Sequence, residues 1–326
     1  DVKPTVEEIK KNHIADLEVQ HKYGVKFLQY WINEDAGLVF CLMEAPDKES
    51  CAAVHREAHG AMPCNIIELK GGDYARFMGE EHIKNKFDIV ELPSGAFDAG
   101  YRFIMSIDNL SISPEEQIID AAIKKHGGRA VSNFEGREMI AFTNSVPAIE
   151  CAIDIISLCK KQVRIGISAS EPVTDSKDFF GKGIQLSGWL CDIASPGTIY
   201  ISPLVKQLTA ASAFRNFKNK KSLKTLSAGD EQFMSQLMQR LNKLAFQSQF
   251  TLDDLCKQIG MSRSGLYRKM TALTGLSANN FIQEFRLQKA LKLFRGKQGN
   301  VTEVAFESGF SSTSYFTRSF QKRFGA

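Results

Sequence analysis

Thr251-Leu-Asp-Asp-Leu-Cys-Lys-Gln-Ile-Gly260-Met-Ser262-Arg-Ser-Gly-Leu-Tyr-Arg-Lys-Met270 and Val301-Thr-Glu-Val-Ala-Phe-Glu-Ser-Gly309-Phe-Ser311-Ser-Thr-Ser-Tyr-Phe-Thr-Arg318-Ser-Phe-Gln-Lys-Arg-Phe324 are two copies of one pattern. Each reads as a short helix, a Gly-hydrophobic-Ser turn and a second helix with one polar, basic side. Glycine supplies the positive φ of the turn, and Ser262 and Ser311 are the expected caps of the second helices. In the first copy Arg263, Ser264, Tyr267 and Arg268 fall on the outer side, with Leu266 and Met270 inward. In the second, Thr313, Ser314, Tyr315 and Arg318 are outward, with Phe316 and Phe320 packed. A longer helix over Leu276–Phe294 would hold the copies apart. Two such units can address successive major grooves of one duplex, each by the second helix of its pair.

Charge follows the motif. Residues 230–326 hold 14 Lys+Arg against 7 Asp+Glu, a net of +7; the remainder holds 27 against 30, a net of −3. A basic end suits a polyanion. At 326 residues the chain is too long for one core. Its seven cysteines stand singly, without CxxC, as in a protein whose thiols stay reduced. No run of about 18 apolar residues suggests a membrane span, and Asp1-Val-Lys-Pro does not resemble a signal peptide, so a cytoplasmic location is expected. The absence of Met at the start suggests that the numbering omits at least one residue.

Upstream, residues 1–69 alternate helix and strand signals. A helix follows Thr5, strands are expected over Val25–Ile32, Leu38–Glu44 and Asn65–Leu69, and a second helix runs from Asp47 to His59. With a first strand near Asp1–Val2 this is β-α-β-β-α-β, a ferredoxin-like α+β unit over 1–70. Residues 71–100 read as a connector with some helix near Tyr74–Lys84. Residues 101–226 are a second α/β stretch: strands at Tyr101–Ile107, Met139–Phe142, Val163–Ala169 and Thr198–Ser202, helices at Pro114–His126, Val146–Lys161 and Gly183–Ala194. Ser227-Ala-Gly229 breaks the chain before the all-α end, 230–326.

The C-terminal hundred residues resemble the AraC-type DNA-binding domain. Leu252, Leu255, Gly260, Met261-Ser262, Leu266, Arg268, Gly275, Phe281, Arg286, Ala290, Leu293, Val304-Ala305, Gly309-Phe310, Tyr315-Phe316, Arg318, Phe320, Lys322 and Phe324-Gly325 carry the likeness. The resemblance implies a transcription regulator that binds double-stranded DNA. Ser264, Tyr267 and Arg268, with Thr313, Ser314, Tyr315 and Arg318, would approach the duplex, and the two arginines would read guanine or hold phosphate.

In the N-terminal unit His55 and His59 stand at i, i+4, which projects both rings from one helix face. That suits two imidazole ligands of nickel, zinc or another divalent metal. The run Asp16-Leu-Glu-Val-Gln-His-Lys-Tyr-Gly-Val25, the pair Tyr30-Trp31, Phe40–Pro46 and His55-Arg-Glu-Ala-His-Gly60 resemble a small nickel-binding ferredoxin-like family. In that family a His is expected two residues after Asp1, where Lys3 stands. His13, His55 and His59 are the candidate ligands; packing is the other use of these rings.

The middle stretch resembles a class III nucleotide cyclase, on Ala141-Phe142, Arg164-Ile-Gly-Ile-Ser-Ala-Ser-Glu-Pro172, Asp178-Phe-Phe-Gly181 and Leu190-Cys-Asp-Ile-Ala-Ser-Pro-Gly-Thr-Ile-Tyr-Ile-Ser202. Its chemistry needs two metal-binding aspartates. The first falls at Ile107, one residue from Asp108, and that step turns the side chain to the other sheet face. The hairpin has Glu135-Gly136-Arg137, and the Asn and Arg that steady the transition state fall at Gln185 and Trp189. The expectation is a non-enzymatic, cyclase-like homodimerisation unit. Trp189 would either stack on a planar ligand or fill an interface. The whole reads as a three-module regulator with a metal or small-molecule effector. A residual cyclase and a metal-handling protein are the rivals.

Overall fold

The computed structural model describes residues 3–109, 116–134, 137–159, 163–175, 177–217, 220–247 and 249–325. The expected strand at Asp1–Val2, the helix start at Pro114 and the hairpin tip Glu135-Gly136 lie outside them.

Helix α1 (Val6–Val19) starts where a capping box dictates: Glu8 N–H donates to Thr5 Oγ1 at 3.3 Å, and Thr5 N–H donates to Glu8 Oε2 at 2.8 Å. A 3-10 turn over Gln20–Tyr23 ends at Gly24, φ +64°, and leads into the antiparallel strands β1 (Lys26–Asn33) and β2 (Leu38–Glu44). Helix α2 (Lys48–Ala58) is capped by Asp47, which accepts from Ser50 N–H at 2.7 Å. Leu17 of α1 and Val54 of α2 share a core with Val25, Phe27 and Met43.

The strand expected over Asn65–Leu69 is not formed. A different segment flanks β1: Ile89, fully buried, bridges Tyr30 in parallel, and Tyr30 N–H donates to Asp88 O at 3.1 Å. Ile66 and Ile67 are only half-buried. β propensity alone did not choose the partner; the segment that buries more apolar surface did. The connector holds α3 (Asp73–Met78), shorter than expected, and the small hairpin β3 (Ile83–Lys84) and β4 (Val90–Glu91). Phe77, Met78 and Val90 join Trp31, Ile104 and Phe180 in one core. The connector is therefore packed between the N-terminal hairpin and the large sheet.

That sheet has strands β5 (Arg102–Asn109), β6 (Arg129–Phe134), β7 (Arg137–Phe142), β8 (Val163–Ser170), β9 (Ile199–Ile201) and β10 (Leu223–Thr225), in the order β10-β9-β8-β5-β7-β6. Helices α4 (Glu116–Lys125) and α5 (Ser145–Leu158) complete β-α-β-β-α-β from β5 to β8. The ferredoxin-like strand order is thus complete in this unit, whereas the N-terminal unit shows its inner α-β-β-α part. Strand β6 is missing from the sequence reading. A register shift between Ala130 and Ser132 breaks its alternation.

Alternation along β5 sets the two faces of the sheet. Phe103, Met105 and Ile107 enter the α4–α5 core. On the other face Ser106 Oγ meets Ser187 Oγ of α6 (Gly181–Ile193) at 2.8 Å. Gly166 in β8 lets α6 approach, since a Cβ there would stand 2.2 Å from Ser187 O. Helices α7 (Pro203–Leu208) and α8 (Ala211–Phe217) follow β9.

The remaining chain is all helix: α9 (Ala228–Leu244), α10 (Leu252–Ile259), α11 (Arg263–Thr274), α12 (Ala278–Arg295), α13 (Val301–Glu307) and α14 (Thr313–Phe324). The first helix pair is continuous with the sheet unit. Trp189, Leu190 and Ile193 of α6 pack with Met234, Leu237, Leu255 and Leu266, and Tyr200 Oη donates to Leu273 O at 2.6 Å. The second pair has its own core, Leu287, Ala290, Leu293, Val304, Ala305, Phe310 and Phe316. No helix among the described residues is long and apolar enough to cross a membrane.

Candidate nucleic-acid interface and metal centre

In the first unit Thr251 caps α10, the helix ends at Gly260 with φ +71°, and Ser262 caps α11 by accepting from Gly265 N–H at 3.1 Å. Leu266 and Met270 are buried, as their spacing predicts. Arg263, Ser264, Tyr267 and Arg268 are exposed, with Tyr267 at 56%. Arg263 Nε donates to Asp253 Oδ1 at 2.5 Å, so it is engaged within the protein. Arg268 forms no ion pair among the described residues.

The second unit corrects one expectation. Helix α14 is capped by Ser312, not Ser311: Ser312 Oγ accepts from Tyr315 N–H at 3.3 Å. Phe310 is buried in the second core, and the chain needs one more residue than the first unit to climb from it to the helix start. Counted from the true caps, Arg268 and Arg318 both stand six residues into the motif, and Ser264 and Ser314 both stand two. The repeat is tighter than counting from the glycines suggests. Ser314, Tyr315 and Arg318 are exposed, Tyr315 at 50%, and Thr313 is half-buried. Among the described residues Arg318 Nε reaches only its own helix, donating to Ser314 O at 3.4 Å.

Gly309 is the tightest point of this region. Its φ is +84°, and a Cβ there would lie 2.7 Å from Ala245 O and 2.8 Å from Phe246 Cα. Arg286 Nε of α12 donates to that same Ala245 O at 2.6 Å. The end of α9 therefore anchors both the inter-unit helix and the second turn.

At the other end of the chain, α1 and α2 bring together Asp16, His55 and His59. Asp16 Oδ1 lies 3.1 Å from His55 Nδ1 and 3.2 Å from His59 Nε2, and the two nitrogens are 3.3 Å apart. Two donors each about 2.0–2.1 Å from a tetrahedrally coordinated zinc-sized ion stand about 3.3 Å from one another. Asp16 is buried, and its Oδ1 takes no hydrogen bond of normal geometry despite the nearby rings. A buried carboxylate in that state is costly unless a cation or proton meets it. The donor set therefore fits a divalent ion. His13 is not one of the three. Its ring lies against Tyr30, centroids 4.4 Å apart, and Phe27, at 5.6 Å, while burial lowers its basicity and its Nε2 has no partner. Sequence reasoning missed Asp16. Its one signal is the i, i+3 spacing from His13 on α1.

The positions that correspond to cyclase chemistry are filled otherwise. Ile107 is core, 2% exposed. Asp108 Oδ2 is held by Arg164 Nε at 2.9 Å and Nη2 at 2.6 Å. Burial pushes the Asp108 carboxyl up, but the Arg164 and Arg137 guanidiniums override it and hold the group below the usual carboxylate range. Arg137 pairs with Asp192. Trp189 is 7% exposed and packs against the C-terminal helices of its own chain. The only metal-capable cluster of His, Cys, Asp and Glu among the described residues is the Asp16–His55–His59 group.

Comparison with known proteins agrees with these two ends. Residues 255–326 match a family described as a helix-turn-helix domain, and residues 1–69 match the family "Nickel responsive protein SCO4226-like". The C-terminal segment is thus similar to AraC-type helix-turn-helix domains, and the N-terminal segment to the family of that nickel-responsive protein. Among relatives, a stretch of 100 residues is 33% identical to "Histidine kinase P4" of Formosa agariphila, covering 31% of this chain and 7% of that one. A stretch of 79 residues is 35% identical to the "Uncharacterized HTH-type transcriptional regulator YdeC" of Bacillus subtilis, covering 24% and 27%. The chain thus spans under a third of the length of either relative. An adenylate/guanylate cyclase/hydrolase structure from Silicibacter pomeroyi is similar at 24% identity and a TM-score of 0.29, over 33% of this chain and 79% of that one.

Proposed function

We propose that this protein is a cytoplasmic, sequence-specific transcription regulator that grips two successive major grooves with α11 and α14. The observation that carries the reading is the pair of exposed arginines, Arg268 and Arg318, each six residues from a serine cap on helices of one repeated design. Arg263, Ser264, Tyr267, Thr313, Ser314 and Tyr315 complete the proposed contact set. Duplexes enriched from a randomised library should bind with an affinity that falls as salt rises. Arg268→Ala with Arg318→Ala should lower specific affinity by at least tenfold and reduce the salt slope by about two. Retention of full specific affinity by the double variant rejects the reading.

The N-terminal unit is proposed as the input, taking nickel or another divalent metal on His55, His59 and Asp16, with His13 beside them. The metal would neutralise the Asp16 carboxylate and tie α1 to α2. Full-length protein titrated calorimetrically with Ni²⁺ and Zn²⁺ should bind one ion per chain. Asp16→Asn and the His55→Ala/His59→Ala pair should each weaken it at least tenfold. Identical binding by the variants rejects the site. The cyclase-like unit is proposed as a non-catalytic scaffold that forms a homodimer. The arginine-bound state of Asp108 and glycine at the second carboxylate position, Gly136, support the non-catalytic part of this reading, and turnover of ATP or GTP with Mn²⁺ would overturn it.

A further inference from the structure

The positive charge of the chain begins before the helix-turn-helix units. Residues 195–229 hold Lys206, Arg215, Lys218, Lys220, Lys221 and Lys224 and no Asp or Glu, whereas residues 1–194 hold 21 Lys+Arg against 30 Asp+Glu. Lys218 lies outside the described residues. The other five are exposed and form no ion pair among the described residues. The carboxylates on either side of the segment are engaged. Asp192 pairs with Arg137, and Asp230 pairs with Lys269 and accepts from Ser227 Oγ at 2.7 Å. Glu231 is half-buried, and burial pushes its carboxyl up. On α5, which shares a core with α7 and α8, Asp154 pairs with Lys125 and His126, and Glu150 lies 3.8 Å from His126.

We infer that this segment of the sheet unit is a second DNA-binding surface, a strip that grips backbone phosphates of the duplex flanking the α11 site; the inference rests on the regulator reading. Its place in the fold supports it. Strand β10 is the outer strand of the sheet, beside β9. Lys224 Nζ of β10 stands 5.3 Å from the Tyr200 ring of β9, and the Tyr200 hydroxyl donates to Leu273 O near the end of α11. Leu226, just after β10, is buried in the core that α9, α10 and α11 share. From Arg268 to Leu273 is about 7.5 Å along the helix axis. The strip therefore adjoins α11 within a fraction of one duplex turn, about 34 Å. A lysine on an outer strand also guards the edge against pairing with another chain. That accounts for Lys224 alone, because Lys206 lies on α7, Arg215 on α8, and Lys220 and Lys221 just before β10. Exposed cations with no carboxylate among them concentrate a polyanion. Phosphate contacts carry no sequence information, so the strip adds affinity and register and leaves base choice to α11 and α14.

The test measures the full chain on a library-selected duplex and on the same duplex lengthened by about one helical turn, roughly 10 base pairs, at either end. Hydroxyl-radical protection lost in Arg268→Ala marks the α11 end. Lengthening at that end should tighten binding about tenfold, and lengthening at the other end should leave it unchanged. Arg215, Lys220 and Lys221 make no ion pair or ring contact among the described residues. Arg215→Ala/Lys220→Ala/Lys221→Ala should therefore keep the wild-type melting profile, abolish the gain from lengthening and lower the salt slope by about two to three. Preference for the selected sequence over a scrambled duplex should stay the same. Arg215→Lys/Lys220→Arg/Lys221→Arg should retain the gain. No gain from lengthening, a gain that survives the alanine triple, or an equal loss on short and long duplexes overturns the strip and leaves the regulator reading standing. A wild-type chain that selects no duplex rejects both.

Discussion

The two turn glycines look interchangeable in the sequence and differ in the fold. Gly260 has a left-handed backbone and nothing within 4 Å of the position its Cβ would take; Gly309 has the same handedness and the backbone of Ala245 and Phe246 against it. Gly260→Ala should cost about 1 kcal/mol for the backbone alone. Gly309→Ala should cost about 3 kcal/mol or more, because the added carbon also overpacks rigid main chain. Urea unfolding of the two variants measures the difference, and equal midpoints would show that the α9 end yields. Asp16 is the matching case among functional residues. Along the chain only its i, i+3 spacing from His13 marks it, because His55 and His59, 39 and 43 positions on, arrive through the packing of a different helix.

Helix starts and stops were readable wherever the signal was local. Thr5, Asp47, Thr251 and Ser262 cap the helices their positions announce, and Leu266 and Met270 face inward on period alone. Elements defined by a distant neighbour were not. Strand β6 has a shifted register, the Asn65–Leu69 strand lost its place to Ile89, and the cap of α14 moved to Ser312 because the burial of Phe310 sets the path of the turn. The two serines make that last point measurable. Ser312→Ala should destabilise the protein by about 1 kcal/mol through the lost cap. Ser311→Ala should stay within about 0.5 kcal/mol. Reversal of the order in thermal melts would restore Ser311 as the cap.

The modules are less separate than their sequence signatures suggest. The first helix-turn-helix unit shares a core with α6, and the connector shares one with both the N-terminal hairpin and the large sheet. A fragment ending at residue 69 would leave the Tyr30 edge of β1 unpaired and strip Ile89 from its core. Such an edge invites aggregation. Residues 1–69 alone should therefore fail to melt cooperatively; a sharp, reversible transition from that fragment would contradict the shared core. The Tyr30–Ile89 bridge also has a mechanical meaning. His13 rests on the Tyr30 ring, Tyr30 is bonded to Asp88, and the next residue, Trp31, is packed with Ile104 of the central strand. If Asp16 takes a cation as proposed, a rotation of α1 would reach the large sheet through these contacts, from His13 to Tyr30 and from Trp31 to Ile104.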